Sequence, residues 1–285
     1  MGIEVQHLPT LEDDGLITPD VGLWAEKKYR LVQNYASMFT ASMRSKWDHL
    51  VYVDLFAGAG RSRLRGTNEI VPASPLLTLD IPVPFNQYIF CELDEEKLDA
   101  LRERVGREFN QADVRFLHGN ANWLLDRVLS EMPVPHRGFK VLGFCFADPY
   151  NLDNLKFDTI RRLSNRFFDF LVLIPTGTDA QRNIQRYVEQ PQSKLEDFLG
   201  SPDWREAWEG AKRKGESADL FLTRYYGEQM VSLGYQPTEP QETVSIRNEK
   251  NSTMYRFGFY SRHNLARKFW QQVKKYSDDQ LAFEF

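Results

Sequence analysis

The 285-residue sequence predicts an α/β fold built on a mostly parallel, seven-stranded sheet. Three observations predict this fold. Short, apolar, β-rich runs alternate with helical patterns through the first part of the chain, which implies right-handed βαβ units and parallel strands. Two later β-rich runs are joined by the polar segment 248–252, a hairpin signal that implies antiparallel pairing. An apolar fraction of 42% is sufficient for a sizeable buried core.

The predicted elements follow one another in βαβ order. A helix is expected from Trp24 to about Met43, because apolar residues recur there at helical spacing. Ser74 followed by Pro75 is typical of a helix N-cap with proline in the first turn, so a short helix is expected to about Leu79. Two further helices are expected at 94–109 and 122–132. The expected parallel strands lie at 50–56, 87–92, 114–117, 141–147 and 168–174, and the hairpin strands at 242–247 and 255–260.

These elements divide the chain into four parts. Residues 1–23 are polar and acidic and contain Pro9, Gly15 and Pro19, which predicts a flexible, poorly packed arm. Residues 24–178 form the predicted Rossmann-like core. Residues 179–234 form a predicted helical insertion with charged faces, and residues 235–285 supply a hairpin and a helix that complete the core.

Composition narrows the range of functions. A net charge of −4 argues against a uniformly basic surface, so any contact with nucleic acid is expected to be local. Cys91 and Cys145 lie in apolar stretches, and the five histidines form no cluster, so no metal site is predicted. The sequence has neither a signal-like N-terminus nor a long apolar run, which makes the cytoplasm the expected location.

Polar or glycine residues follow each of the first strands, where an open α/β sheet binds its ligands. Gly58 and Gly60 permit a turn that brings the backbone close to a ligand, whose amine the Asp54 carboxylate can reach. Glu92 ends the second strand, where its side chain can accept hydrogen bonds from both hydroxyls of a ribose. Asn120 follows the third strand and can approach the edge of an adenine. The occurrence of these groups at the ends of successive strands favours an adenosyl ligand.

Each of these residues also has a simpler interpretation. The glycines are compatible with an ordinary turn between strand and helix, and Glu92 with an exposed charge at a strand end. Asn120 is compatible with a helix cap or a turn asparagine. A nicotinamide cofactor is a weaker alternative, because Arg63 occupies the third glycine position of a dinucleotide-binding turn. The sequence also lacks a phosphate-binding P-loop motif.

Four segments carry a resemblance to a known family. The sequence resembles the bacterial three-Cys-motif partner family (TcmP) in the segments Val53 to Gly60, Ala73 to Leu76, Phe90 to Asp94 and Phe146 to Tyr150. The similarity extends from about Trp24 to the C-terminus. The resemblance implies a class I methyltransferase fold, S-adenosylmethionine as cofactor and an associated radical-enzyme-like protein with three cysteines. The implied cofactor-binding residues are Asp54, Phe56, Ala57, Gly58, Gly60, Glu92, Leu93, Asn120 and Ala121.

The segment Asp148-Pro149-Tyr150 resembles the Asp-Pro-Pro-Tyr motif of enzymes that methylate exocyclic amines of adenine. The resemblance implies that Asp148 accepts a hydrogen bond from the amine and that Tyr150 stacks on the base, with Pro149 between them at the reaction centre. This sequence is one proline short. If Asp148 takes the first position of the motif, Asn151 takes the aromatic position; if Tyr150 takes the last position, Ala147 takes the acceptor position. A structural turn without substrate contact is the alternative.

Three arginines follow the first strand in what is predicted to be a long loop. Arg61, Arg63 and Arg65 could bind phosphate groups of a substrate there, or the loop could simply be solvated. Two hypotheses therefore emerge from the sequence. The first is a methyltransferase that acts on an amine, with nucleic acid as one candidate substrate. The second is a partner module that docks the three-Cys-motif protein, for which the insertion 179–234 is a candidate surface.

Overall fold

A computed structural model describes residues 8–248 and 251–279. Its strands form one large and one small sheet. The bounds of the described strands are β1 Asp20–Val21, β2 His49–Asp54, β3 Arg61–Leu64, β4 Ile70–Pro72, β5 Gln87–Glu92, β6 Val114–His118, β7 Val141–Ala147, β8 Phe168–Ile174, β9 Val244–Arg247 and β10 Thr253–Tyr260.

The large sheet has seven strands in the order β6-β5-β2-β7-β8-β10-β9. The first five strands in this order are mutually parallel, whereas β10 is antiparallel to both β8 and β9. The predicted five parallel strands and the C-terminal antiparallel hairpin are therefore confirmed. This order brings the carboxyl ends of β2, β5, β6 and β7 to one edge of the sheet, where a ligand crevice is expected.

Helices cover both faces of the large sheet. Their bounds are α1 Trp24–Met43, α2 Ser74–Leu79, α3 Glu95–Glu108, α4 Leu125–Glu131, α5 Phe157–Leu163, α6 Thr178–Glu189, α7 Lys194–Leu199, α8 Trp204–Arg213, α9 Ala218–Ser232 and α10 Asn264–Asp279. Helix α5 was not predicted. One prediction about α2 is wrong: its N-cap is Ala73, because the Ser74 hydroxyl donates instead to Asp54.

Alternate residues of each strand point to opposite faces of the sheet and pack in two separate hydrophobic cores. One core lies between the sheet and helices α1, α3 and α10, with Tyr35, Phe144 and Trp270 among its members. The other lies under α4, α5 and the insertion helices, where Trp204 and Tyr226 pack in the same cluster as Phe170 of β8. The insertion therefore contributes directly to the core of the sheet.

The predicted flexible arm is wrong for residues 8–23, while residues 1–7 lie outside the described chain. Strand β1 pairs in parallel with β3, and the Leu11 amide donates to the Ile70 carbonyl (2.8 Å). The main anchor is Arg104 of α3, which has no exposed surface and donates two hydrogen bonds of 2.7 Å to the Asp14 carboxylate. A buried guanidinium needs such partners, because burying an unpaired charge is costly.

The loop predicted after Gly60 is also wrong, because residues 61–72 form the antiparallel hairpin β3–β4. This hairpin and β1 make the small sheet. Among the described residues, no helix is long and apolar enough to cross a membrane, and no group of three or more potential ligands is arranged to hold a metal ion.

Candidate functional site

A crevice of about 390 Å³ lies at the carboxyl edge of the large sheet. It is formed where β2, β5, β6 and β7 end, which is the edge that the sequence analysis selected. Its lining residues are Leu55, Phe56, Glu92, Leu93, Asp94, Lys97, Gly119, Asn120, Ala121, Asp148, Tyr150 and Asn154. The structure thus brings Phe56, Glu92, Leu93, Asn120, Ala121, Asp148 and Tyr150 together as expected.

The glycine turn after β2 is held in place by Glu92. The Gly58 amide donates to Glu92 Oε2 (2.8 Å), and the Asp94 amide donates to Glu92 Oε1 (2.9 Å). Gly58 has a φ of 63°, and a Cβ built on it would meet no atom within 4 Å. Its backbone therefore faces open space, as required where a ligand approaches a chain closely. Each Glu92 oxygen keeps a second lone pair for a ligand hydroxyl.

Gly60 has a different role from Gly58. Its φ is 82°, and a Cβ at this position would lie 2.7 Å from Leu101 and 3.2 Å from Leu76. Ala57 is also buried, and its amide donates to the Cys91 carbonyl. Both residues lie beneath the crevice and do not line it, so they shape the turn through packing.

Asp54 lies beneath the turn as well, with no exposed surface. Its carboxylate accepts hydrogen bonds from the Phe56 amide (3.1 Å), the Ser74 hydroxyl (2.8 Å) and the Tyr52 hydroxyl (3.2 Å). Burial raises the pKa of Asp54 to about 7, and these hydrogen bonds only partly oppose the shift. Asp54 is absent from the crevice lining, so direct contact with a ligand amine, as the sequence suggested, has no support in this geometry.

Asn120 faces the crevice from the turn after β6. Its Oδ1 accepts from both the backbone amide (2.9 Å) and the side-chain amide (3.0 Å) of Asn122. Asn120 does not cap α4, whose N-cap is Leu124, but its oxygen fixes the turn before that helix. The turn interpretation and the ligand interpretation are compatible, because within the described part of the chain the side-chain NH₂ of Asn120 donates to no acceptor. Trp123, which the sequence analysis missed, follows this turn and is 83% exposed.

Asp148 directly follows β7 and forms an ion pair with Lys28 of α1. Lys28 is only 4% exposed, and its ammonium lies 5.2 Å from the ring centre of Trp24 and 4.9 Å from that of Tyr29. Burial lowers the pKa of Lys28, but the charge and hydrogen bond of Asp148, together with Tyr29 and Tyr255, outweigh this effect and raise the pKa above its ordinary value. Lys28 bonds Asp148 Oδ2, which leaves Oδ1 for another partner.

The sequence analysis missed Lys28 as a site residue. Its position in an amphipathic helix, beside Lys27 and Arg30, gave no sign that it would be buried. The only available signal was a lysine flanked by aromatic residues, Trp24 and Tyr29. Lys97, Asp94 and Asn154 at the crevice were missed for a similar reason, because helix caps and loop residues have no periodicity that marks a site.

Tyr150 extends from the turn after β7 with 83% of its surface exposed. Its carbonyl accepts a hydrogen bond from the Tyr255 hydroxyl (3.4 Å), which fixes the backbone and leaves the ring free. Pro149 between Asp148 and Tyr150 is buried. Asn151 does not line the crevice: its Oδ1 accepts from the Asp153 amide (2.9 Å) and its own amide donates to Asn154 Oδ1 (3.0 Å). The structure therefore groups Asp148 with Tyr150 and excludes Asn151.

The three arginines of the hairpin β3–β4 are directed to the N-terminal segment. Arg61 pairs with Asp14 (3.3 Å) and Glu108 (2.7 Å), and Arg63 pairs with Asp13 (2.8 Å). Arg65 donates to the Asp20 carbonyl (3.4 Å). None of the three lines the crevice. The expectation that they bind substrate phosphates is not supported, because acidic residues of the packed arm already pair with Arg61 and Arg63, and Arg65 is bonded to the backbone of that arm.

Neither a protein-family model nor a curated protein matches the sequence. Among solved structures, an O-methyltransferase from Bacillus cereus in complex with SAH is similar at 11% identity, covering 87% of this chain and 84% of that one, with a TM-score of 0.46. The O-methyltransferase TomG from Streptomyces achromogenes, in complex with SAM, is similar at 9% identity over 88% and 92%, with a TM-score of 0.42. Trm1 from Pyrococcus horikoshii, with S-adenosyl-L-methionine, is similar at 11% identity over 93% and 63%, with a TM-score of 0.42.

At these scores the similarity carries no argument about activity. The strand order of this chain does identify the architecture, because five parallel strands are followed by a hairpin whose last strand inserts antiparallel between the fifth and sixth. The fold is that of the class I methyltransferases. It positions the crevice, and the residues in the crevice carry the functional argument.

Proposed function

We propose that the protein is an S-adenosylmethionine-dependent methyltransferase. The observation that carries the proposal is the convergence of four strand ends on one crevice, where the Glu92 carboxylate and the Asn120 side chain face the same space. Glu92 suits the ribose of the cofactor and Asn120 its adenine. The Gly58 turn does not line the crevice, but it is bonded to Glu92 and has open space beside it, which suits the amino-acid end of the cofactor. The cofactor supplies an electrophilic methyl group on a sulfonium.

The charge of the crevice fits this cofactor. Three carboxylates, Glu92, Asp94 and Asp148, line it together with one ammonium, that of Lys97, which pairs with Asp94 (3.2 Å). A net negative crevice favours a ligand that carries a sulfonium cation. Apolar surface is also present, since Leu55, Phe56 and Leu93 lie beside these charges. The side chains thus offer both hydrogen bonds and apolar contact to an adenosyl group.

We further propose that the methyl acceptor is an amine. Methyl transfer to an amine is an in-line displacement, so the enzyme must orient the nitrogen and leave its lone pair exposed. Asp148 Oδ1 is suited to accept a hydrogen bond from such an N–H, because Lys28 fixes the other oxygen. The exposed ring of Tyr150, two residues later, is suited to stack on a planar acceptor. A nucleic-acid base is one acceptor of this kind.

Isothermal titration calorimetry with S-adenosylmethionine tests the cofactor assignment. We expect a dissociation constant in the micromolar range for the wild type and at least a tenfold weaker one for Glu92→Ala, since this variant loses the ribose acceptor and the bond to Gly58. Glu95→Ala is the matched control, because Glu95 is an exposed residue of α3 outside the crevice. Absence of heat with the wild type would remove the proposal.

Membership of the three-Cys-motif partner family, and docking of such a protein, rest on the sequence resemblance alone and remain predictions. Co-purification with a three-cysteine protein encoded beside this one would support docking. Robust methylation by the isolated chain would show that a partner is not required for the reaction.

A further inference from the structure

A second cavity, of about 470 Å³, lies at the opposite edge of the large sheet from the crevice. It opens where β7 and β8 begin, between the C-terminal half of α1 and the first turns of α10. Its walls are mainly aromatic and aliphatic side chains, among them Phe39, Trp47, Leu142 and Phe269. A concave, largely apolar space of this size is typical of a small-molecule site.

The cavity contains a carboxylate among these apolar walls. Asp169, the second residue of β8, lines the cavity and is 7% exposed. Tyr35 donates its hydroxyl hydrogen to Asp169 Oδ2 (2.8 Å), and Ser261 also hydrogen-bonds the carboxylate. In the described part of the chain, no lysine, arginine or histidine lies within ion-pair distance of it. Burial raises the pKa of Asp169 to about 6, so the group is ionised at pH 8.

The cationic side chains around the cavity do not neutralise Asp169. Arg262 donates to the carbonyls of Ser164 (2.7 Å), Leu233 (3.0 Å) and Arg166 (3.2 Å), so its guanidinium is directed elsewhere. Lys46 lines the cavity but is an exposed residue whose charge water screens. Arg262 and His263 lower the pKa of Asp169 through longer-range attraction, but within the described ranges neither forms an ion pair with it. The buried charge of the cavity is therefore negative.

We propose that this cavity binds an organic ammonium ion with an aromatic body, its ammonium group against Asp169 and its ring among the aromatic walls. A cation at this position would offset the cost of the buried carboxylate. The aromatic and aliphatic walls, Phe39, Trp47 and Phe269 among them, bury the apolar body of the ligand. The site is separate from the crevice, and its occupancy does not depend on the proposed methyl transfer.

Calorimetry at pH 8 with three indole probes tests the proposal. Tryptamine carries the ammonium, tryptophol replaces it with a neutral hydroxyl, and indole-3-acetate carries the opposite charge. We expect tryptamine to bind at least tenfold more tightly than the other two. Asp169→Asn should abolish this preference, whereas Asp113→Asn, which changes an exposed carboxylate outside the cavity, should preserve it.

A second variant tests the proposal even if Asp169→Asn does not fold. Leu265→Trp fills the cavity from α10 without altering the carboxylate, and it should abolish tryptamine binding while leaving S-adenosylmethionine binding unchanged. Equal binding of tryptamine and tryptophol, preference for indole-3-acetate, or no heat from tryptamine at millimolar concentration would each overturn the proposal. These outcomes are distinguishable from failure of the proposed function, which is tested with a different ligand at the other edge of the sheet.

Discussion

At the residue scale, two buried ionisable groups hold the backbone turn and the carboxylate that form the candidate site. Asp54 holds the glycine turn through the Phe56 amide and the Ser74 hydroxyl, and Lys28 holds Asp148 at the end of β7. Neither group is exposed enough to be solvated by bulk water. Each therefore depends on its hydrogen-bond and ion-pair partners, and its effects on stability can be measured.

Lys28 and Asp148 should be energetically coupled. Lys28→Met leaves Asp148 without its cation, and we expect a loss of about 2 kcal/mol in the free energy of unfolding, less than for a fully buried pair because Asp148 is partly exposed. Adding Asp148→Asn to Lys28→Met should restore part of this loss. Urea unfolding of both single variants and the double variant measures the coupling, with Lys27→Met as the control. Strictly additive losses would contradict the assignment.

The raised pKa of Asp54 predicts a pH dependence. The folded state holds the Asp54 proton up to about pH 7, whereas the unfolded state releases it near its ordinary value of 3.8. Folding therefore binds a proton within this window, and the contribution of Asp54 to stability declines as the pH rises through it. Between pH 5 and pH 8 we expect the wild type to lose about 2 to 3 kcal/mol more than Asp54→Asn.

Asn is a suitable replacement at position 54, because its amide can donate to the hydroxyls of Tyr52 and Ser74 while its oxygen accepts from Phe56. Urea unfolding at both pH values gives the comparison. Asp169 titrates in the same range in both proteins, so its effect cancels in the difference. Parallel pH profiles for wild type and variant would show that Asp54 is not the titrating group.

At the element scale, α3 connects the N-terminal segment to the glycine turn. Arg104 donates to the Ala59 carbonyl (2.6 Å) within the turn and to Asp14, Ile17 and Thr18 of the segment. The hydrogen bond from Arg104 is the largest cause that lowers the pKa of Asp14 to about 2. One side chain of α3 thus fixes both the small sheet and the edge of the crevice.

Replacement of Arg104 should release the N-terminal segment. We expect Arg104→Met to cost about 3 kcal/mol, because it removes a buried cation and leaves carbonyl and carboxylate groups unpaired. Limited proteolysis should then cut within residues 8–23 faster than in the wild type. Arg102→Met is the matched control, since Arg102 lies on the same helix, is half exposed, pairs with Asp99 at i−3 and contacts the Phe116 ring, but does not bond the N-terminal segment. Unchanged cleavage of Arg104→Met would argue against this anchor.

At the scale of the whole molecule, the insertion helices and the sheet share one core. Trp204 of α8 has no exposed surface and packs in the cluster that includes Phe170 of β8. Parts that bury a common core are expected to unfold together. The insertion is therefore part of the folding unit, whatever surface it also presents.

Truncation of Trp204 should destabilise the entire protein. We expect Trp204→Ala to cost about 3 to 5 kcal/mol, as is typical of a large buried aromatic residue, with a single cooperative transition. Trp123→Ala provides the control, because Trp123 is 83% exposed and should change stability by less than about 0.5 kcal/mol. Thermal unfolding followed by far-UV circular dichroism measures both. Separate transitions for insertion and sheet would contradict a shared core.

The sequence by itself determined the parts of this protein that have a local signal. Strands β5, β7 and β8 are predicted with their observed bounds, because each is a continuous apolar run ended by polar or turn residues. The turn at Gly58 and the polar residues Glu92 and Asn120 could be predicted for the same reason, as they directly follow such runs.

Only the tertiary structure decided which of these residues face the crevice. In the tertiary structure Asp54 is buried, and Lys28 pairs with Asp148. Arg104 holds the segment 8–23 against α3, and Arg61 and Arg63 pair with acidic residues of that segment. These contacts join residues far apart in the chain. Burial and charge pairing depend on which residues from distant parts of the chain come into contact. The spacing of residues along the sequence therefore does not predict these contacts.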